Sequence, residues 1–441
     1  MPQHQPATVA VVGAGMAGLI AARELRRRGI DVVVLESASR PGGRMLAEST
    51  ALGSRVDLGG QWIGRGHHRF EALAVELGTT VFAMRTPERP AIVDGAATVR
   101  YSSPAALVAI ASVIAWEVMC RTGIRPSRQE RSVGSWLQRV PNRRARRILE
   151  VLVSVATTAD LDRFSMHAFL GMIRHEGGLA TMLATAGGAQ DSLLVEGAGT
   201  LAERLAAGLD GKVVYDSPVT ALHRDDDGVT VHSATGVYRA ARAIVTVPPP
   251  MAARIEHRPA LPTGRIALQD NTYMGSVYKA IAIYDCPFWR ERGDAEFISL
   301  TEPRMAVFDT SPPDGPGHLC VLIAGPEARD IDKLSDTDRR STILHTLAAR
   351  LGTGVLEPRD WHEKSWHLDP HVGGGYVALP IIGHTDGLVP VSAEPTGHIH
   401  WAGAETAGEH AGYIEGAIES GLRVAGEVAA ALGGDAALPR T

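Results

Sequence analysis

The chain has 441 residues, 45% hydrophobic and 21% charged, an ordinary balance for a globular protein long enough to build two domains. Its formal net charge of −5 carries no basic excess, which argues against nucleic acid as a partner. Three cysteines, Cys120, Cys286 and Cys320, show neither ligand nor redox spacing, so free thiols and a cytoplasmic location are expected.

Met1 to Pro6 lacks the charged start of a signal peptide, and the first apolar run, Val9 to Val12, reads as a strand buried on both faces of a parallel sheet. Gly13-Ala14-Gly15-Met16-Ala17-Gly18 follows, then a helix to Gly29 and a second strand, Asp31 to Leu35. In this turn Gly13 permits the bend, Gly15 removes a Cβ that would block a pyrophosphate, and Gly18 lets the helix lie on the strand. With Ala17 they form a dinucleotide-binding turn whose helix N-terminus offers free N–H groups to phosphate. Glu36 ends the second strand, where a carboxylate can accept from ribose hydroxyls. The turn alone does not separate NAD from FAD. Arg40-Pro41-Gly42-Gly43-Arg44 then adds a second glycine turn with a fixed cation for pyrophosphate oxygens. The loop Val56 to Gly64, with Gly60, Gln61 and Trp62, can pass close to a flat ring, and this extended cradle favours a permanently bound FAD.

Pro104 to Met119 is the most apolar segment, but Glu117 interrupts it and it is shorter than the ~20 residues of a membrane span, so a buried or surface-docking helix is expected. Arg121 to Arg147 reads as a solvated helical surface. A middle block begins at Val195-Glu196-Gly197-Ala198-Gly199-Thr200, with a helix from Leu201 to Leu209 and strands at Val213 to Tyr215 and Pro218 to Leu222. Asp225-Asp226-Asp227-Gly228 is a hairpin turn before Val229 to His232, and Ala243 to Val247 is a buried strand stopped by Pro248-Pro249-Pro250. Tyr278 to Tyr284, Ala306 to Asp309 and Leu319 to Ile323, with one helix from Thr337 to Leu351, suggest a separate antiparallel sheet. Near the end, Trp401-Ala402-Gly403-Ala404-Glu405-Thr406 and Gly412-Tyr413-Ile414-Glu415-Gly416 form a second glycine-rich element, followed by a helix to about Leu432. The expected fold is α/β: a Rossmann-like FAD-binding domain (1–85, 190–255 and 365–441) interleaved with an α+β substrate-binding domain on an antiparallel sheet (86–189 and 256–364).

The chain resembles the flavin-containing amine oxidases, and within them the monoamine oxidases, over nearly its whole length. The resemblance rests on Asp57-Leu58-Gly59-Gly60, Gly275-Ser276-Val277-Tyr278-Lys279, Pro287-Phe288-Trp289-Arg290, Gly373-Gly374-Gly375-Tyr376, Gly403-Ala404-Glu405-Thr406 and Gly412 to Ala417. It is weakest from 86 to 160. It implies FAD contacts from Glu36 to the adenosine ribose, Arg44 and Gly43 to the pyrophosphate, and the backbone of Val219 to adenine. It places Gly60, Gln61 and Trp62 near the flavin, Gly403 and Glu405 in a second dinucleotide segment, and the N–H of Ile414 at the flavin's pyrimidine edge. Lys279 matches a lysine near flavin N5 associated with oxygen reactivity, and Tyr376 and Tyr413 match two rings flanking the amine. Trp366 matches a tryptophan near the same cavity, and Gln190 is a candidate polar contact for substrate.

Some members attach flavin through a cysteine just before the first of these tyrosines; Gly375 stands there, so non-covalent FAD is expected. The activity implied is oxidative deamination of a primary, apolar or aromatic amine, with O2 reduced to hydrogen peroxide and a homodimer as the assembly suggested by resemblance. An amino-acid oxidase, which should present an arginine to the carboxylate, and a polyamine oxidase, which should present acids, are alternatives; Arg65 and Glu176 are the candidates. A flavin-bound scaffold without oxidase activity is a third. His67 with His68, His362 with His367 and His398 with His400 lack a third ligand in context, and no metal is expected.

Overall fold

The strand His4–Val12 is the centre of the first sheet, because its apolar run lets Val9, Ala10 and Val11 pack on both faces with no exposure. Val32–Leu35 lies parallel on one side and Gly236–Val245 parallel on the other. The order is 256–258, 219–225, 228–233, 236–245, 4–12, 32–35 and 213–214, with 399–401 joined to the C-terminal half of 236–245. In register, Val12 faces both Leu35 and Val245, and Val245 faces Trp401, so the carboxyl ends of four parallel strands open on one edge. That edge is where doubly wound sheets hold ligands. The helices Met16–Arg27 and Ile414–Ala431 pack together over the sheet through Leu19, Ile20, Val424 and Ala425. The computed structural model describes residues 4–85, 90–95, 97–122, 131–292, 297–384 and 390–433.

The second sheet runs 360–365, 277–284, 317–324, 304–309, 297–301, 91–94 and 97–98, and all but one of its pairings are antiparallel. Val277–Tyr284 is buried at every position between its neighbours, and Lys279 faces Leu322 on one side and Lys364 on the other. The helices Pro104–Thr122, Arg143–Thr157 and Met166–His175 form a third layer around Trp116, Phe164 and Phe169.

Several elements depart from the sequence reading. The strand read as Ala243 to Val247 spans Gly236–Val245, since a second hairpin, closed by Ser233 opposite Gly236, carries the chain from Gly228–Ser233 straight into it. Pro249 starts a short helix, Pro249–Ala252, because proline suits a first helical turn. Glu256–Arg258 pairs with Val219–Asp225, which corrects the boundary drawn at 255: the first sheet extends past it. Two helices, Thr263–Asp270 and Pro326–Ile331, join the one expected between 256 and 364. Pro104–Thr122 is longer than the apolar run and, by length and composition, is the one helix among the described residues that could cross a membrane. Ala105, Ala109, Trp116 and Cys120 face the helical core, whereas Leu107, Ile114 and Val118 are exposed. The segment read as an arginine-rich helical surface contains Val133–Leu137 and the start of Arg143–Thr157, and Arg144 and Arg147 are tied to Asp94; 123–130 lie outside the described residues.

Candidate active site: a cavity joining both ends of the chain

A cavity of 540 Å³ runs from the first glycine turn to the last helix. At its nucleotide end the turn is built as its glycines dictate. A Cβ on Gly18 would lie 2.1 Å from the Gly13 carbonyl, so only glycine allows the helix to sit there. Gly15, the N-cap of Met16–Arg27, provides no side-chain cap, and the first turn carries no acid, leaving the N–H groups and the positive end of the helix dipole facing open space. A Cβ on Gly15 would meet nothing within 4 Å, because that position faces the cavity. Glu36 is buried; its Oε2 accepts from Ala14 N at 2.6 Å and its Oε1 from Ala38 N at 2.8 Å, which ties the turn to the second strand. Gly13, Ala17, Gly43, Val219 and Gly403 line this end as well.

Two arginines follow. The Arg40 guanidinium donates to the carbonyls of Pro41, Gly43 and Met45 at 3.0, 3.0 and 2.8 Å and lies 5.7 Å from the Trp366 ring. Arg44 grips Glu405 in a fork, Nη1 to Oε1 at 2.6 Å and Nη2 to Oε2 at 3.0 Å, and Nη1 also donates to the Tyr376 carbonyl at 2.7 Å. Burial alone would raise the Glu405 pKa, but Arg44 overrides it and holds the carboxyl below its ordinary range. Glu405 and Gly18 do not line the cavity: Glu405 stands behind Arg44, and Gly18 packs against the turn.

At the opposite end, Lys279 is buried and donates from Nζ to the Gly59 carbonyl at 2.9 Å and to Gln61 Oε1 at 2.6 Å. Its nitrogen is 5.4 Å from the Trp62 ring. Burial lowers its pKa, and the fields of Cys320 and Asp57 oppose the shift in part. Asp57 accepts from Ala198 N at 2.7 Å and Gly199 N at 2.9 Å, fastening the loop that carries Gly60 to the start of the helix Gly199–Ala207. Gly60, Gln61 and Trp62 line the cavity, as does Trp366, whose Nε1 donates to the Leu58 carbonyl at 2.7 Å.

Tyr376 and Tyr413 both line the wall, and burial raises both phenol pKa values, so each ring is neutral at physiological pH. The Gly375–Tyr376 peptide is cis. Tyr413 is the N-cap of Ile414–Ala431 and offers no side-chain cap. Glu415, in that first turn, is turned away to Arg69 N, Phe70 N and the Arg69 guanidinium. The helix therefore presents open N–H groups beside Ile414, which lines the cavity and would meet a Cβ on Gly60 at 3.4 Å.

The remaining wall comes from the helical layer. Val155, Ala156, Met172, Met182 and Gln190 give it an apolar surface with one amide. Glu176 also lines it, 3.7 Å from His410 Nδ1, and the carboxylate raises the His410 pKa. The His67 ring is 4.7 Å from His410 and 5.4 Å from Tyr413; burial pushes its pKa down to about 3. Arg65 does not line the cavity. Sequence reasoning missed Arg40 and, though it named Glu176, the cluster that residue forms with His410 and His67. Arg40 carried a usable signal, standing immediately before the second glycine turn. The cluster carried none, since its members are scattered between 67 and 410. Among the described residues no group of three or more His, Cys, Asp or Glu could hold a metal ion.

The donor set fits a long dinucleotide bearing an aromatic ring. One uncapped helix faces each end of the cavity, a bare glycine forms the floor, and a buried cation stands by the tryptophan loop. The family profile described as flavin containing amine oxidoreductase matches residues 16–429. The putative flavin-containing monoamine oxidase AofH of Mycobacterium tuberculosis is 34% identical over 450 residues, 96% of this chain and 97% of that one. Cyclohexylamine oxidase from Brevibacterium oxydans superposes with a TM-score of 0.91 at 26% identity, covering 97% of this chain and 99% of the other. A putrescine oxidase bound to putrescine superposes with a TM-score of 0.86, also at 26% identity, covering 97% and 100%. A profile that runs from the first helix into the last and a relative similar over 97% of its length make the chain a member of the flavin-containing amine oxidoreductase family, with FAD as its cofactor.

Proposed function

We propose that the protein oxidises a primary amine with an apolar or aromatic body to the imine, which hydrolyses to the aldehyde or ketone, with O2 reduced to hydrogen peroxide. The observation that carries this reading is one continuous cavity with Tyr376 and Tyr413 in one part of its wall and Lys279 buried in another. In this reading the Glu36 carboxylate takes the ribose hydroxyls, and the N–H groups after Gly15 take phosphate, with Gly43 and Arg44 beside them. Arg44 acts with its guanidinium already set by Glu405. Val219 meets the adenine and Gly403 the dinucleotide backbone, while Gly60, Gln61, Trp62 and Ile414 surround the ring. Gly375 offers no thiol for attachment, so FAD is held non-covalently.

Bound FAD supplies the two-electron acceptor for the amine and passes those electrons to O2. The chain supplies position and field. Tyr376 and Tyr413, both neutral, wall a slot that excludes water and orients the amine nitrogen; Gln190 and Trp366 complete the substrate wall. Met172, Met182 and Val155 favour an apolar body. Lys279, fixed by Gly59 and Gln61, sets a hydrogen-bond donor next to the ring site, where N–H dipoles favour the negative charge oxygen acquires on reduction.

Glu176 favours a second reading, a diamine substrate, because a carboxylate lining the cavity beside Met172 and Met182 suits a second ammonium. The amino-acid reading has less support, since Arg65 stands outside the cavity. Peroxide release from the purified flavoprotein with phenethylamine, cyclohexylamine, putrescine and phenylalanine tests the assignment. Turnover of the first two supports it, turnover of putrescine alone selects the second reading, and turnover of phenylalanine alone rejects both.

A further inference from the structure

We propose that Thr158 is a positioning residue for Tyr376, its hydroxyl setting the placement of the ring against which the amine is held. This rests on the amine-oxidation reading above. Thr158 is fully buried and does not line the cavity. It ends the helix Arg143–Thr157 in the left-handed region, with φ of 59°. A glycine or asparagine is the usual choice there, and a β-branched residue is disfavoured, so the side chain occupies a position that backbone preference argues against. The contacts of the hydroxyl supply a reason. Thr158 Oγ1 accepts from Tyr376 N at 2.9 Å, and its single proton is shared between the Gly375 carbonyl and the Thr157 carbonyl, the latter at 2.5 Å. One hydroxyl thus meets both ends of the peptide unit that leads into Tyr376.

The surroundings leave that unit little freedom. Gly375 N donates to the Gly275 carbonyl at 3.0 Å, and Ser276 N donates to the Thr158 carbonyl at 3.1 Å. A Cβ on Gly275 would lie 2.2 Å from Thr158 Oγ1, so the approach exists only because residue 275 is glycine. On the far side of the Tyr376 Cα, its carbonyl accepts from Arg44 Nη1 at 2.7 Å. The peptides on both sides of that Cα are therefore anchored, one by Thr158 and one by Arg44, and the ring keeps only its side-chain torsions. Packing against Val277, Trp366 and Val372 limits those. Three segments far apart in the chain meet at this hydroxyl: the end of a helix, the turn before the Lys279 strand, and the tyrosine loop.

Anaerobic stopped-flow reduction of the holoenzyme by an amine that the wild type oxidises tests the assignment. Thr158→Val, which keeps the shape and removes the hydroxyl, is expected to slow flavin reduction roughly 10- to 100-fold, with reoxidation by O2 within about 3-fold of wild type. Thr158→Ser, which restores the hydroxyl, is expected to return reduction to within about 3-fold. In a Tyr376→Ala background, Thr158→Val should change the rate by less than about 3-fold, because the ring it positions is gone. Crystals of Thr158→Val should show the Tyr376 ring displaced from its wild-type place. The proposal is overturned if Thr158→Val is reduced as fast as wild type, or if its effect persists undiminished without the Tyr376 ring. It is equally overturned if Thr158→Val and Thr158→Ala both lose flavin or fold while Thr158→Ser is normal, which would mark the hydroxyl as a support of the fold. A wild type that no amine reduces defeats the amine-oxidation reading instead, and the ring position in the variant crystals then still decides the role of Thr158.

Discussion

Arg44→Met is the most informative single perturbation of the cofactor cradle. It removes three hydrogen bonds, two to Glu405 and one to the Tyr376 carbonyl, and leaves Glu405 buried without its counter-ion. Breaking a buried pair from one side costs about 3–5 kcal/mol, mostly because a desolvated charge is stranded. The Arg44 side chain keeps 24% exposure, so solvent already screens part of the interaction, and about 3 kcal/mol is the expected loss. Adding Glu405→Gln removes the stranded charge while an amide oxygen can still accept from Ala378 N, so the double variant should recover about half of that loss. The pH dependence has a definite sign. In the wild type the depressed Glu405 pKa gives stability above the ordinary carboxylate value, lost as pH falls through the folded value. In Arg44→Met, burial, the largest influence, is opposed only by the backbone N–H groups of Ala378 and Glu405 and raises that pKa relative to wild type, so acidification neutralises the stranded charge and narrows the gap to wild type. Urea unfolding at constant excess FAD, run at about pH 8 and about pH 5, measures this. A loss below about 1 kcal/mol that is the same at both pH values, with no recovery in the double variant, would refute the reasoning.

Three further outcomes follow from other parts of the site. Lys279→Met should slow reoxidation of reduced enzyme by O2 roughly 100-fold while anaerobic reduction by amine changes far less, read by double-mixing stopped flow; equal reoxidation rates would remove the oxygen role. Glu176→Gln should lower kcat/KM for putrescine by about 10-fold or more if a second ammonium meets that carboxylate, and leave cyclohexylamine nearly unchanged; parallel losses on both would exclude the diamine reading. His67 stays neutral in the fold down to about 3 but takes a proton near 6.5 when unfolded, so its contribution to stability is lost as pH falls through that window, at up to about 1.4 kcal/mol per unit. His410, whose raised pKa acts in the opposite direction, is common to both proteins, so a shallower acid slope in His67→Asn than in wild type isolates His67. Identical slopes would show that its burial has no such cost.

What the sequence made legible was local. The glycine turn, Glu36 and the helix behind them are encoded within 30 residues by spacing and patterning, and they fold where that pattern puts them. The all-buried strand carrying Lys279 was visible for the same reason, as an uninterrupted apolar run around one charge. The partner of Glu405 was not legible: Arg44 lies 361 positions away, and only the fold brings its guanidinium between that carboxylate and the cavity. Thr158 meets Tyr376 across 218 positions, and Glu176 meets His410 across a comparable gap; no propensity or period records such encounters. The strand Glu256–Arg258 was overlooked because two of its three residues are charged, and it lies at the edge of its sheet, where neither buried face demands an apolar pattern.

The most direct test of the account is anaerobic titration of the yellow holoprotein with a primary amine. Phenethylamine or cyclohexylamine should bleach the oxidised flavin absorbance, and readmitted oxygen should restore it with release of one hydrogen peroxide per flavin. A flavin that stays fully oxidised through a panel of monoamines, diamines and amino acids would contradict the claim that Tyr376, Tyr413 and Lys279 form an amine-oxidising site.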